Sequence, residues 1–241
     1  MVAGRFSVAL LIGPPGAGKG TQARYVGEAL GIRHVASGDL LREHRQRDTP
    51  IGLTARAYMD QGDLVPDELV VQMVIERLAR PDAARGVVLD GFPRTVCQAR
   101  ALDVALAERG GRVTAALFLD VPTDVLVERL SGRRVCIGCH STFHVVLQQL
   151  PFDSTCPHCG DRLVQRADDV PSVVTRRVAV YQQQTAPVLD HYRVRGVLRR
   201  ADASSSVELT RARVLEQLGL RESPELCSEP TERNPGHCVS R

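Results

Sequence analysis

The run Val8-Ala9-Leu10-Leu11-Ile12 leads directly into Gly13-Pro14-Pro15-Gly16-Ala17-Gly18-Lys19-Gly20-Thr21, an apolar strand that ends in a glycine loop. Without Cβ atoms in the way, successive backbone N–H groups of such a loop can point into one hollow. The helix that follows adds its positive N-terminal end, and Lys19 adds a mobile charge. The string fits the spacing G-x-x-x-x-G-K, and phosphate is the ligand that it implies. It departs from the usual pattern at the next position, where Gly20 stands in place of Ser or Thr and a hydroxyl comes only at Thr21.

Composition bounds the rest of the reading. A chain of 241 residues, 43% hydrophobic and 24% charged, can build one sizeable core with small insertions. The net charge of +3 is too small to call for nucleic acid or an anionic membrane as partner. No apolar run approaches the roughly 18 residues of a membrane helix, and Met1-Val2-Ala3-Gly4-Arg5 carries no separate apolar segment with a cleavage site, so the expectation is a cytoplasmic chain. Seven cysteines, four of them in two C-x-x-C pairs, suit a reducing compartment and a metal better than a disulfide framework.

Working outward from the loop, Phe6 to Ile12, Gly86 to Leu89, Val113 to Leu119 and Val197 to Leu198 read as short buried strands. Thr21 to Leu30, Asp67 to Ala79, Thr95 to Glu108 and Val207 to Leu218 carry helical spacing. The alternation predicts an α/β fold, a parallel sheet with helices on both faces. Ligands of such sheets bind beyond the carboxyl ends of the strands, which singles out the glycine loop, Asp90 to Arg94 and Asp120 to Pro122. The expected division is a core of residues 1–35, 66–131 and 170–220, an insertion at 36–65, a second at 132–169, and a mobile tail at 221–241. The tail is polar and proline-bearing without periodicity, and Cys227, His237 and Cys238 within it read as ordinary tail residues.

A second block, Val87-Val88-Leu89-Asp90-Gly91-Phe92-Pro93-Arg94 with Gln98 beyond it, ends a strand in a carboxylate. Asp90 can there hold waters around a Mg²⁺ carried by nucleotide phosphates. A guanidinium at Arg94, after the turn at Gly91 and Pro93, can fork onto phosphate as lysine cannot. A third block sets Cys136-Ile137-Gly138-Cys139 against Cys156-Pro157-His158-Cys159. Paired knuckles can close a tetrahedral site of four thiolates, the arrangement structural zinc prefers. A redox pair would need only one knuckle, and His140, His144 and His158 fit the spacing less well as ligands. A flap between the knuckles has too few apolar residues for a core, so zinc replaces the core.

The loop G-P-P-G-A-G-K-G-T, the block V-V-L-D-G-F-P-R-x-x-x-Q, the segment Ser37-Gly38-Asp39-Leu40-Leu41-Arg42, and later R-A-D-D and Q-T-A-P-V together resemble the adenylate kinases of the bacterial long-lid, zinc-binding type, over roughly residues 6–218. The resemblance implies a P-loop NTPase-like core, an AMP-binding insertion at 36–65 and a zinc-containing lid at 132–169. It also implies a monomer that transfers a phosphoryl group from ATP to AMP to give two ADP, with Mg²⁺ on the nucleotide. On the ATP side it implies Gly16, Ala17, Gly18, Lys19, Gly20 and Thr21, then Arg129, Arg133, Thr142, Phe143 and Ser205. On the AMP side it implies Ser37, Arg42, Asp63, Leu64, Val65, Gly91, Phe92, Pro93, Arg94 and Gln98, with Arg166 and Arg177. Lys19, Arg94, Arg133, Arg166 and Arg177 would act in catalysis, since charge spread over the transferred group calls for cations more than for a base. Cys136, Cys139, Cys156 and Cys159 would hold the zinc.

By the same resemblance Arg129 covers the ATP adenine, Gln98 offers a donor and an acceptor to the AMP base, and Asp168 and Asp169 pair within the lid or with the arginines. Ser37, where threonine is more frequent, keeps the hydroxyl and loses a methyl. Asp39 is expected to cap a helix. Rival readings are a kinase for UMP or CMP, an AMP phosphotransferase that takes GTP, and, in a different class, a zinc-ribbon module for nucleic acid. Against the last stands an aromatic content of 4%, with few aromatics around the cysteines.

Overall fold

The computed structural model describes residues 6–139, 141–145, 150–151 and 154–220; the expected tail, with Cys227, His237 and Cys238, and His140 lie outside the described residues. Five parallel strands form the main sheet: β1 (Ser7–Ile12), β2 (Arg33–Ala36), β3 (Val87–Asp90), β4 (Arg112–Asp120) and, after a small lid sheet, β8 (Leu198–Asp202). Their order is β2-β3-β1-β4-β8. The centre of the sheet is β1, and it is buried on both faces, as parallel strands between two helix layers are. Val8, Leu10 and Ile12 pack on one side with Val74, Leu102 and Tyr192, whereas Ala9 and Leu11 pack on the other with Val26, Leu126 and Val214. Full burial of a side chain such as Leu10 stabilises by about 1.5–3 kcal/mol relative to exposure.

The helix layers are α1 (Lys19–Leu30), α6 (Thr123–Ser131) and α9 (Val207–Gln217) on one face, with α4 (Asp67–Leu78), α5 (Val96–Glu108) and α8 (Pro187–Val194) on the other. Because the chain crosses from β3 to β4 over β1, the strand order switches at β1, and a crevice opens at its carboxyl end. β2 was not expected. Its Arg33-His34-Val35-Ala36 has a single buried apolar residue, Val35, and neither alternation nor an apolar run announces it; it is held as an edge strand by its ladder to β3.

Residues 37–61 form two helices, α2 (Ser37–Gln46) and α3 (Pro50–Gln61), the latter capped by the Thr49 side chain, which accepts from Gly52 N at 3.2 Å. The paired cysteines lie in a separate antiparallel sheet of β5 (Arg133–Cys136), β6 (Thr142–His144) and β7 (Leu163–Val164), in the order β6-β5-β7. From there α7 (Pro171–Val180) runs into a π-helical turn, Tyr181–Thr185, closed by Ala186 N donating to Tyr181 O at 2.9 Å. Pro187, at the start of α8, has no N–H, and its ring would crowd the carbonyl four residues back, which a widened turn relieves. Among the described residues no helix is long and apolar enough to cross a membrane.

Candidate active site

The loop after β1 is shaped by left-handed glycines, Gly16 (φ 86°) and Gly18 (φ 85°); a Cβ at Gly16 would also meet Leu130 Cγ at 3.0 Å. Lys19 folds back over this loop, and its Nζ donates to Gly13 O at 2.9 Å and Pro14 O at 2.8 Å. Desolvation draws its ammonium down to about 7, with Asp90 opposing the shift and Arg94, Arg177 and Arg133 adding to it. A Cβ on Gly20 would lie 3.2 Å from Asp90 Oδ2. The missing side chain at Gly20 therefore leaves one face of the Asp90 carboxylate open. Burial pushes Asp90 up, but the His34 side chain, Lys19 and Arg94 outweigh it and keep the carboxyl below its ordinary value. His34 Nε2 stands 3.8 Å from Asp90 Oδ2, beyond hydrogen-bond length, and Nε2 has no hydrogen-bond partner among the described residues. An anionic carboxylate at a strand end, with open space beside it and a phosphate loop across from it, fits a hydrated Mg²⁺.

Around Lys19 gather Arg94, Arg133, Arg166, Arg177 and Arg42, each close enough to another for like charge to act. Burial brings Arg94 and Arg166 each down to about 10 and also lowers Arg177, as expected of cations stacked in a recess. Two acids hold the cluster together. Asp169, 1% exposed, accepts from Arg133 Nε at 2.7 Å, from a second nitrogen of the same guanidinium, and from Arg177 at 3.1 Å. Asp168 pairs with Arg177 at 2.9 Å, and although burial favours its neutral form, Arg177, Arg133 and Arg166 keep it ionised. Six cations thus face four carboxylates, Asp90, Asp168, Asp169 and, at Arg42, Asp39. Arg166 Nε is buried without a partner among the described residues. Such an excess of recessed positive charge calls for a polyanion.

A cavity runs from this cluster into a slot lined by Ser37, Arg42, Asp63, Leu64, Val65 and Gln98, with Gly91, Pro93 and Arg94 between. Arg94 is anchored by its Nε, which donates to Gly91 O at 2.7 Å, and Ser37 Oγ donates to the same carbonyl at 2.7 Å. Phe92 is 1% exposed and belongs to the core, not the slot. Asp63 pairs with Arg176 on α7 at 2.7 Å. The expected cap at Asp39 is corrected: the N-cap of α2 is Ala36 with no side-chain bond, and Asp39, two residues inside the helix, pairs with Arg42. A carboxylate in the first turn still favours the helix dipole, and the i,i+3 spacing delivers it to the arginine instead of the backbone.

On the opposite side of the glycine loop, Arg129 donates to the carbonyls of Ala203 (2.8 Å), Ser204 (3.2 Å) and Ser205 (2.9 Å). The loop is braced from behind by Arg213, which donates to Asp202 Oδ2 at 2.6 Å and to Ser205 Oγ at 3.2 Å. Arg129 and Ser205, expected together from positions 76 residues apart, do meet.

In the small sheet, the sulfurs of Cys136, Cys139, Cys156 and Cys159 lie within 4.8 Å of one another. Backbone N–H groups of Cys139 and His158 donate to Cys136 Sγ and Cys156 Sγ, each at 3.4 Å. Ser141 draws the Cys139 thiol down to about 6. Cys159 is drawn down by the Asp161 backbone but pushed up further by the other sulfurs, to about 12. Four sulfurs this close, once deprotonated, can hold a cation among them, and a tetrahedral ion of zinc's size fits the donor set. His144 Nε2 lies 3.3 Å from Glu128 O, and His158 Nδ1 lies 3.1 Å from Ser141 Oγ; neither belongs to the cluster. Phe143 is 6% exposed and packs in the lid's own core, its ring edge-on to His158 at 5.2 Å; Thr142 beside it is exposed. These two side chains are not brought to the cation cluster.

Three features of the site were not read from the sequence. His34 arrives on the unexpected β2, Tyr181 and Thr185 line the cavity through the π turn, and Asp67 reaches across to Thr95 and Gln98. The acidic first turn of α4 was visible, but an Asp there reads as a dipole partner. Comparison with known proteins agrees with this geometry. The family described as Adenylate kinase has a sequence model that matches residues 11–197. The chain is 50% identical over 198 residues to an adenylate kinase of Moorella thermoacetica, covering 82% of this chain and 91% of that one. It is 48% identical over 199 residues to an adenylate kinase of Carboxydothermus hydrogenoformans (83% and 93%), and 47% identical over 209 residues to one of Acidothermus cellulolyticus (87% and 96%). With half of its positions shared across most of its length, and with the cations of that length gathered at one sheet edge, this chain belongs to the adenylate kinase family.

Proposed function

We propose that the chain transfers the terminal phosphoryl group of ATP to AMP, giving two ADP, as a cytoplasmic monomer. The observation that carries this reading is one cavity in which the cations Lys19, Arg94 and Arg177 adjoin a slot lined by Ser37, Leu64, Val65 and Gln98. A polyphosphate chain suits the cations, and a nucleoside suits the slot. Lys19 would hold the β and γ phosphates of the donor, and Arg94 with Arg42 the phosphate of AMP. Arg133, Arg166 and Arg177 would gather the charge that spreads over the transferred group. Asp90 would hold the waters of a Mg²⁺ carried on the nucleotide, which would supply charge that neutralises the donor phosphates. Arg129 and the Ala203–Ser205 carbonyls would flank the adenine of ATP.

The four cysteines are proposed to hold one structural zinc, with no open position for chemistry. The lid, residues 132–169, would close over the phosphates, since water in the site is a competing acceptor. Against a zinc-ribbon reading for nucleic acid stands Phe143, the described aromatic nearest the cysteines in the small sheet, which is turned into the lid core. A coupled assay that pairs ATP in turn with AMP, CMP, UMP and GMP tests the proposal. The expected result is a clear preference for AMP. Activity on AMP no greater than on the others would refute the adenylate assignment.

A further inference from the structure

Gln98 is 1% exposed, yet it lines the cavity, and both ends of its amide are met by protein groups that admit one answer each. Arg94 N donates to Oε1 at 2.7 Å, and a backbone N–H can only donate, so the atom that faces it is the oxygen. Nε2 donates to Asp67 Oδ1 at 2.8 Å, and a carboxylate can only accept, so the atom that faces it is the nitrogen. The orientation of this amide therefore follows from its neighbours alone. Asp67 is itself fixed. Its other oxygen accepts from Thr95 Oγ1 at 2.7 Å, and Thr95 Oγ1 accepts from Gln98 N at 3.1 Å, which closes a ring at the start of α5.

A primary amide has two N–H donors and an oxygen with two lone pairs, so one donor and one acceptor remain after these contacts. Their order cannot be exchanged cheaply. A half-turn of the amide would set NH₂ against the Arg94 N–H and the carbonyl against the Asp67 carboxylate, two bonds lost and two like poles opposed.

We propose that Asp67 is a specificity-determining positioning residue. By holding Gln98 in one orientation, it fixes the order in which an acceptor and a donor meet the base of the nucleoside monophosphate. That order answers a base edge that has an exocyclic amine beside a bare ring nitrogen, as in adenine. It opposes an edge that has a carbonyl beside a ring N–H, as in hypoxanthine and guanine. The inference rests on the proposed reading of this slot as the AMP site.

The test compares kcat/KM for AMP and IMP, with ATP as donor, in the wild type, Asp67→Asn and Asp67→Ala. IMP lacks the extra amino group of GMP, so the two substrates are alike in size and differ in edge polarity. Both variants remove one of the two penalties on the turned amide. The AMP:IMP ratio should fall by on the order of tenfold, the worth of a hydrogen bond to a charged group, with KM for ATP unchanged. A merely structural role would lower kcat/KM for AMP and IMP together; an unchanged ratio in both variants would overturn the assignment of Asp67. A wild type with no preference for AMP over other monophosphates would instead overturn the reading of the slot. Should neither variant fold, the wild-type Gln98 side-chain amide protons, identified by their loss in Gln98→Ala, decide the matter. They should exchange with solvent far more slowly than those of exposed Gln61. Exchange at the rate of Gln61 would overturn the proposal.

Discussion

Replacing Asp169 by Asn takes the shared carboxylate away from two guanidiniums while it keeps the shape of the side chain. Asp169 is 1% exposed and serves Arg133 through both oxygens and Arg177 at 3.1 Å, so the change puts an NH₂ donor against donors and leaves two cations short of a counter-charge. Removing one partner of a buried ion pair costs about 3–5 kcal/mol. The arginines here are 17% and 18% exposed, and Asp168 still holds Arg177 at 2.9 Å, so the lower end applies, about 3 kcal/mol. For a chain of this size that is a drop of roughly 6–12 °C in melting temperature. The same variant leaves the site more positive, so an anion should bind it more tightly. Thermal melts of wild type and variant, each with and without saturating inorganic tripolyphosphate, make the check. The gap in melting temperature should shrink by more than half when the anion is present, because phosphate supplies the charge that Asp169 supplied. Equal gaps with and without the anion would refute the idea that these arginines wait for phosphate.

Two further outcomes follow from the same site. Lys19 titrates near 7 in the folded protein, well below its ordinary 10.5, so above neutrality its amine is mostly uncharged until a phosphate arrives. Nucleotide binding should therefore take up close to one proton at pH 8 and little at pH 6, read by calorimetry in buffers of different ionisation enthalpy; uptake that does not vary with pH would count against it. The sign for stability is the same: between about 7 and 10.5 the unfolded chain binds more protons at this group than the folded one, so the Lys19 contribution to stability rises with pH across that window. Elemental analysis should find one zinc per chain. Cys156→Ala, at a buried sulfur of the cluster, should abolish zinc and lower the melting temperature by about 5 °C or more, while Cys97→Ala, at an exposed cysteine outside it, should do neither.

Where the sequence carried a signal of period or spacing, the fold followed it. β1 is apolar from Val8 to Ile12 because both of its faces are covered, and Gly16 and Gly18 of the next loop have the left-handed backbone that glycine adopts freely. The two C-x-x-C knuckles converge because the antiparallel β5 and β7 bring their ends together. Signals failed where tertiary pairing decides. Arg33-His34-Val35-Ala36 is a strand because β3 offers it a ladder. Asp39 had a composition that suits a cap, but its register in α2 gives it to Arg42. Gln98 was read as an amide free to offer both ends to a base. The fold spends half of each end on Asp67 and Arg94, and no spacing announces a bond across 31 residues.

The cations differ in how they are held, and the difference sorts them by task. Lys19 is tied to its own loop by Gly13 O and Pro14 O, and Arg94 to Gly91 O; both are held at the carboxyl edge of the sheet by neutral backbone acceptors. Arg133 and Arg177 are held by carboxylates, groups that, like a phosphate, offer anionic oxygens to the guanidinium fork. A bound polyanion competes directly with Asp168 and Asp169 for these two guanidiniums and does not compete for the first pair. In the proposed reading, phosphate that enters the crevice would meet Lys19 and Arg94 at the sheet edge. It would recruit Arg133, at the start of β5 in the small sheet, only by exchanging one anion for another. Such an exchange would cost little charge separation at any moment, so a lid that closes as proposed would not strand a buried cation.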